Sequence, residues 1–211
     1  LAQERNRFLR QMSHELKTPL ANIREGTELL MDGAVGELVP SQREVTAILR
    51  DNGIKLQRLI ENLLSFSAWQ SNSTGLDISE FRLRPVVRQV LENQQLTLVS
   101  QRLRLDVKID DIMLVADRGK VRLILENLLS NAIKYSPSGG KISITLKETQ
   151  SQAILDVYDS GPGIRPDEDS KIFETFYQGI PPVEGHIKGS GLGLSIAREY
   201  VLAHQGLIKP L

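Results

Sequence analysis

The sequence predicts two domains in series. The first is an all-α helical hairpin that forms a dimeric four-helix bundle; the second is an α+β sandwich. Three observations carry this. A heptad seam, with steps alternating between three and four, runs through Leu9, Met12, Leu16, Pro19, Ile23, Gly26 and Leu30, and a second through Val45, Leu49, Asn52, Leu56, Leu59, Leu63 and Phe66. The small polar run Ser71-Asn72-Ser73-Thr74-Gly75 then interrupts the helical pattern. Beyond it, alternating strand-like segments mix with helical ones. The expected boundaries are 1–71 for the hairpin, 72–75 for a linker and 76–211 for the sandwich.

Gly33, Gly36 and Pro40 mark the hairpin loop near 32–41, and Ser41 with Glu44 reads as a capping box opening the second helix. Each helix is about 30 residues, so roughly 45 Å long. Two such helices carry more apolar surface than one pair can bury, which points to a second chain. Asn52 in the second seam either fixes register or faces solvent at its edge. In the sandwich, Leu76–Leu83 reads as a strand, and Pro85 suits the first turn of a helix reaching about Val99. Leu103–Ile109 and Ile112–Ala116 read as strands, and Asp117 as the cap of a helix from Arg118 to Tyr135. Lys141–Glu148 and Ala153–Asp159 are alternating strands, a weakly patterned stretch covers 160–190, and a last helix runs from Leu192 to His204.

Composition narrows the function. Basic and acidic residues number 26 each, and the charge is balanced on both sides of the polar break, which disfavours a nucleic-acid binder. Zero Cys excludes a disulfide scaffold, a thiol nucleophile and a Cys-ligated metal. No apolar run approaches the ~18 residues that would span a bilayer, so no membrane contact is expected of these residues. The opening Leu1-Ala2-Gln3-Glu4-Arg5 has no Met and is already helical in composition, so the chain reads as a piece of something longer.

Four clusters carry chemistry. His14 lies about 200° around the helix from Met12 and Leu16, so it points away from the seam. An exposed histidine on a long helix is by itself ordinary. Pro19 changes the weighing, because it frees the Glu15 carbonyl beside His14 at a cost of ~3 kcal/mol. A neutral imidazole is a good nucleophile near pH 7; Glu15 can take up the proton it sheds, and Thr18, one turn on, can orient a water. Thr18 stands where a zinc-binding His-Glu-x-x-His would need its second histidine, which removes the zinc protease reading.

The second cluster places Asn127, Asn131 and Lys134 on one helix face, with Leu125, Leu128, Leu129 and Ile133 on the core side. Amide oxygens suit Mg²⁺ and an ammonium suits phosphate, although a polar stripe alone is also what a solvated face looks like. The third is Asp159-Ser160-Gly161-Pro162-Gly163 after an apolar strand; it fits either an ordinary turn or a close approach to a flat ligand with an amino group. The fourth, Gly189-Ser190-Gly191-Leu192-Gly193, opens the last helix, where free N–H groups and the helix dipole favour phosphate. Between the last two, Phe173–Tyr177 and the stretch running to Lys188 read as a mobile lid, with Phe173 and Phe176 as packing anchors, and His186 and His204 as incidental. The Walker A and eukaryotic protein kinase signatures are absent.

In order and spacing these clusters resemble the sensor histidine kinases of bacterial two-component systems. Ser13–Leu20 is similar to the H box, Asn127–Tyr135 to the N box, Asp159–Ile164 to the first Gly box, Phe173–Tyr177 to the F box and Gly189–Leu194 to the second Gly box. Within the family, Ile23–Leu38 resembles the GlrK/QseE type of membrane sensor. The resemblance implies a dimerisation and phosphotransfer domain over 1–71 and an ATP-binding domain of the Bergerat (GHKL) type over 76–211. It implies that His14 receives the γ-phosphoryl group, Glu15 acts as base and Thr18 positions water for a phosphatase mode. It implies that Asn131 binds Mg²⁺ with Asn127 beside it, Lys134 contacts phosphate and Tyr135 flanks the nucleotide. Asp159 would bind the adenine amino group, with Gly161 and Gly163 allowing close approach, and Gly189, Gly191, Leu192 and Gly193 would line the phosphates. The implied cofactors are ATP and Mg²⁺. The implied partners are a second copy through 1–71 and a response regulator's receiver domain docking near Val35, Val39, Ala21 and Ala47. The implied place is the cytoplasmic face of the inner membrane, with a membrane-anchored parent. Two departures stand out: the family's His-Gly-Gly is here His204-Gln205-Gly206, and its closing strands are not reached by Leu211.

Overall fold

The computed structural model describes residues 2–70, 75–150, 152–179 and 191–210, with side chains from residue 15 onward except Arg58 and 64–70. The chain divides into two compact units, Leu1–Gly75 and Leu76–Leu211. Residues 72–74 of the expected linker, with Ser71 before them, lie outside the described residues.

The first unit is a hairpin of α1 (Ala2–Met31) and α2 (Pro40–Gln70). α1 runs unbroken through Pro19. It ends in a Schellman motif: Gly33 N–H donates to Leu30 O, Ala34 N–H to Leu29 O, and Gly33 takes φ +74°. The capping box expected at Ser41 does not form. α2 begins one residue earlier, at Pro40, and the Val39 N–H is satisfied by Gln42 Oε1 instead (3.1 Å). Proline suits that first position because its missing N–H would have no partner there.

The two helices meet through a different set of residues from the predicted seams. Leu20, Thr27, Thr46 and Ile60 are buried, and both threonines turn their hydroxyls back to a carbonyl of their own helix, Arg24 O and Gln42 O. Small side chains with internally satisfied hydroxyls let the helices pack closely here. The seam residues Leu16, Ile23, Val45, Leu49 and Leu56 are all exposed in the single chain. Asn52 is exposed and donates to Ile48 O within its own helix. Among the described residues, no helix is long and apolar enough to cross a membrane.

The second unit contains β1 (Ile78–Arg82), α3 (Leu83–Asn93), α4 (Gln95–Ser100), β2 (Arg104–Ile109), β3 (Met113–Asp117), α5 (Arg118–Tyr135), β4 (Lys141–Thr149), β5 (Gln152–Tyr158) and α6 (Gly193–Ala203). The strands form two sheets. β1 pairs antiparallel with β3, while β4 stands between parallel β2 and antiparallel β5. β2 and β3 follow each other through a short turn, yet their backbones pair with different partners. The helix expected from Pro85 to Val99 is also two: Gln94 leaves helical geometry (φ −102°, ψ 1°) and its N–H makes a tight bond to Leu91 O before α4 resumes.

The core lies between β4 and the helices. Ile142, Ile144 and Leu146 alternate on the inner face of β4, against Val86, Val87 and Val90 of α3 and Leu125, Leu129, Ala132 and Ile133 of α5. The period of two on the strand and of three to four on the helices supplies one apolar face to each element.

Asp117 caps α5 as its place in the sequence suggests. Its Oδ1 accepts from Lys120 N–H (3.0 Å), and its Oδ2 accepts from Asp77 N–H (3.1 Å), which ties the start of the second unit to the same carboxylate. Burial pushes this carboxyl up, but the N–H groups of Lys120 and Asp77 outweigh it, aided by the Lys120 charge, and hold it below its ordinary value. Its contribution is therefore complete above the usual carboxylate range and is lost as the pH falls through the lowered folded-state value. An Asp117→Ala variant should lose about 1–2 kcal/mol at neutral pH. In urea melts at a series of pH values the gap to wild type should narrow on acidification; a constant gap would refute the cap as its source.

α6 ends in the same motif as α1, with a different residue in the left-handed position. Gln205 N–H donates to Leu202 O, Gly206 N–H to Val201 O, and Gln205 takes φ +59°. A side chain there costs about 1 kcal/mol that glycine avoids. Gln205→Gly should raise stability, and Gly33→Ala should lower it, each by about 1 kcal/mol in chemical denaturation. A neutral Gln205→Gly would mean the backbone strain is relieved elsewhere.

Candidate functional site

α5 is two-sided. Its apolar face enters the core, so Asn127, Asn131, Lys134 and Tyr135 are left on the remaining surface, each half-buried. Asn127 is oriented by its own helix: Nδ2 donates to Leu123 O (2.8 Å), which leaves Oδ1 turned outward. That oxygen meets the start of α6. A Cβ on Gly193 would lie 2.8 Å from Asn127 Oδ1, closer than real Cβ atoms come, so any other residue here would push the amide oxygen aside. Asn131 lies one turn further along and is half-buried on the same face.

The start of α6 is held from the other side by the aromatic segment. Phe176 N–H donates to Gly191 O (2.9 Å), and Gly191 takes φ +68°. A Cβ at Gly191 would fall 2.6 Å from the Phe176 carbonyl carbon and 2.7 Å from Tyr177 O. Gly191 therefore serves both a left-handed turn and a close backbone contact. The N–H groups opening α6 are thus presented between α5 and Phe176-Tyr177, a geometry suited to an anion. Leu192 itself is completely buried, side chain and backbone alike, so it seats the start of α6 rather than offering a surface to a ligand. Gly189 and the 180–190 part of the expected lid, including His186, lie outside the described residues.

Lys134 does not extend from the helix. Its Nζ lies 3.3 Å from Tyr135 Oη and 4.7 Å from the centre of that ring, a cation–π contact that parks the charge at the end of α5. Asp159 is exposed at the end of β5. Gly161 N–H donates to its Oδ1 (2.7 Å), fixing the carboxylate; among the described residues none donates to its second oxygen. Gly163 follows in the left-handed region at φ +75°. Ser160, between the two, accepts from Lys141 N–H and donates to Lys141 O, both at 2.9 Å, which ties this loop to the start of β4. Ser160 was not singled out from the sequence, and a bond spanning 19 residues leaves no periodic trace there.

Phe173 does act as an anchor: the Arg198 guanidinium of α6 sits 5.6 Å from its ring centre. Tyr177 donates its hydroxyl to Glu168 Oε1 (2.8 Å), a bond that raises the phenol's pKa. Among the described residues, no three His, Cys, Asp or Glu side chains gather as a metal site. An amide oxygen such as that of Asn131 is the hard donor this surface offers to a cation. In the first unit, Glu15 and Thr18 are exposed, as are Val35, Val39 and Ala21, while Ala47 is half-buried. The backbone of His14 is helical, and its side chain lies outside the described residues.

His204 is not incidental. Its Nε2 accepts from Asp117 N–H (3.0 Å) and its Nδ1 lies 2.6 Å from Tyr200 O. No periodicity in the sequence links residues 87 positions apart.

Comparison with known proteins gives the class in two parts. Residues 4–72 match the family described as His Kinase A (phospho-acceptor) domain, and residues 116–210 match the histidine kinase-, DNA gyrase B-, and HSP90-like ATPases. The sensor histidine kinase GlrK of Escherichia coli (strain K12) is 40% identical over 206 residues, which cover 98% of this chain and 43% of that protein. QseE of Escherichia coli O157:H7 matches to the same extent. The crystal structure of full-length ShkA in complex with AMPPNP has a TM-score of 0.77 and 27% identity, covering 96% of this chain and 42% of that one. The chain belongs to the sensor histidine kinases, and it spans less than half the length of these curated relatives.

Replacing Gly191 tests the clamp at the start of α6. Gly191→Ala meets both a strained φ and backbone atoms that cannot swing aside, so a loss of about 2 kcal/mol or more is expected in urea unfolding. A loss below about 0.5 kcal/mol would show that Phe176 is not held against this residue.

Proposed function

We propose that this chain is an ATP-dependent kinase core that phosphorylates itself on His14 and passes the phosphoryl group to an aspartate of a response regulator. The observation that carries the reading is the approach of Gly193 to Asn127, which brings the N–H groups opening α6 beside the amide stripe of α5. A phosphate chain needs that combination of backbone donors and hard oxygen ligands.

The residues fit the substrate part by part. The open oxygen of Asp159 accepts from the adenine amino group, and Tyr135 flanks the base. The α6 N-terminus, with Gly191 and Gly193, faces the phosphates. Lys134 swings from its stacked position on Tyr135 to reach phosphate. Asn131, with Asn127 beside it, is the ligand for Mg²⁺. A bound Mg²⁺ neutralises charge on the phosphate oxygens.

In the transfer, one imidazole nitrogen of His14 attacks the γ-phosphorus. An N–P bond forms, the bond to the bridging oxygen breaks, and ADP leaves with the electron pair. The proton shed by the imidazole passes to Glu15. Positioning supplies most of the acceleration in chemistry of this kind. The receiver carboxylate then displaces the phosphoryl group from nitrogen, forming an O–P bond. In the reverse role, Thr18 orients a water that hydrolyses the acyl phosphate on the regulator. The exposed seam Leu16, Ile23, Val45, Leu49 and Leu56 is covered by a second copy in a four-helix bundle. The receiver docks on the remaining hairpin surface near Val35, Val39, Ala21 and Ala47, and the parent protein is anchored in the inner membrane with this part on the cytoplasmic face.

Incubation with γ-labelled ATP and Mg²⁺ tests the reading. Acid-labile, alkali-stable label should appear on wild type and vanish in His14→Gln. In Asn131→Ala the labelling rate should fall by about 10²-fold or more, as for loss of a metal ligand. Label that persists in His14→Gln would move the nucleophile elsewhere, and no ATP binding by wild type would remove the kinase reading.

A further inference from the structure

We propose that His204 is a positioning residue for the site, setting the register of α6 along α5 through the backbone of Asp117; the part concerning nucleotide rests on the function proposed above. The chemistry of its partners determines its state. A carbonyl oxygen only accepts, so the 2.6 Å contact with Tyr200 O requires the proton on Nδ1. A backbone N–H only donates, so the 3.0 Å contact with Asp117 requires Nε2 to be bare. The ring is thus a neutral link between the last turn of α6 and the cap residue of α5.

One of its two bonds serves the helix end to which it belongs: Nδ1–H joins the His204 N–H on Tyr200 O. The Schellman bonds of Gln205 and Gly206 satisfy the Leu202 and Val201 carbonyls of the same turn. The bond from Asp117 instead crosses to the neighbouring helix, and it does so at the far end from the site. Gly193 opens α6 beside Asn127, and His204 closes it beside Asp117. The two helices therefore run antiparallel, and the steps from Gly193 to His204, about 16.5 Å, come within one residue's rise of the steps from Asp117 to Asn127, about 15 Å.

Apolar packing alone leaves the axial position of α6 weakly determined. The buried faces of Ile196, Ala197 and Tyr200 supply area without direction. A directional bond at one end fixes how far the other end reaches. The Lys120 ammonium, 4.7 Å from the centre of the Tyr200 ring, braces the same junction. With 2.8 Å between Asn127 Oδ1 and the position a Gly193 Cβ would take, a shift of α6 by a fraction of one residue's 1.5 Å rise alters the contact that defines the site.

Three substitutions separate the two bonds. His204→Gln keeps an acceptor within reach of Asp117 N–H, His204→Asn keeps only a donor near Tyr200 O, and His204→Leu keeps neither. ATP affinity with Mg²⁺ is measured by calorimetry on the 211-residue chain, at a temperature where circular dichroism shows every variant folded. His204→Asn and His204→Leu should bind about fivefold or more weakly, and His204→Gln should stay within about twofold of wild type. A purely structural histidine would lower the melting temperature of Asn and Leu variants and leave ATP affinity untouched; that result overturns the proposal, as does a Gln variant as weak as Leu. The side-chain amide resonances of Asn127 in ¹⁵N-labelled protein give a readout without nucleotide. They should move in His204→Leu and return towards wild type in His204→Gln. Should wild type bind no ATP, the nucleotide reading fails, while unmoved Asn127 resonances would overturn the positioning role by themselves.

Discussion

Everything in the second unit depends on the burial of one face of α5 against β4. Leu125, Leu129, Ala132 and Ile133 have no other place to go once Ile142, Ile144 and Leu146 present their side of the strand. Each of the leucine and isoleucine side chains is worth about 1.5–3 kcal/mol when removed from water, which fixes the rotation of the helix about its axis. That rotation, in turn, decides where Asn127, Asn131 and Lys134 stand. The polar stripe is not oriented by its own interactions; it is what remains after the apolar stripe has been satisfied. α6 then packs on α5 and meets this stripe at a glycine.

Local pattern carried a large part of this. The period of α5, the alternation of β4 and β5 and the cap at Asp117 are written in neighbouring residues, and the observed elements follow them closely. The break of one expected helix at Gln94 was not readable, because Gln94 is an adequate helix former and nothing local forbids continuation. The division into two sheets was equally hidden: which strand pairs with which is a long-range property, and adjacent segments such as β2 and β3 choose different partners.

The candidate site shows the same division. Its glycines and amides were recognisable by type and spacing. The contacts that give them geometry join distant positions: Phe176 with Gly191, Ser160 with Lys141, His204 with Asp117. A lone histidine near a helix end carries no signal of the backbone N–H it will accept from. The hairpin presents the opposite case. There the heptad seam was correctly seen as apolar, but the residues that bring the two helices of one chain together are Leu20, Thr27, Thr46 and Ile60, lying beside the seam rather than in it.

That open seam has a thermodynamic consequence. A helical pair whose largest apolar side chains face solvent reaches its full stability only when another surface covers them. Under the two-copy bundle proposed above, the folding equilibrium of the first unit contains the protein's own concentration as a variable, whereas that of the second unit, with its core enclosed, does not. Dilution and expression level become inputs to the first unit alone, so the amount of protein present would set how much of its hairpin is in working order.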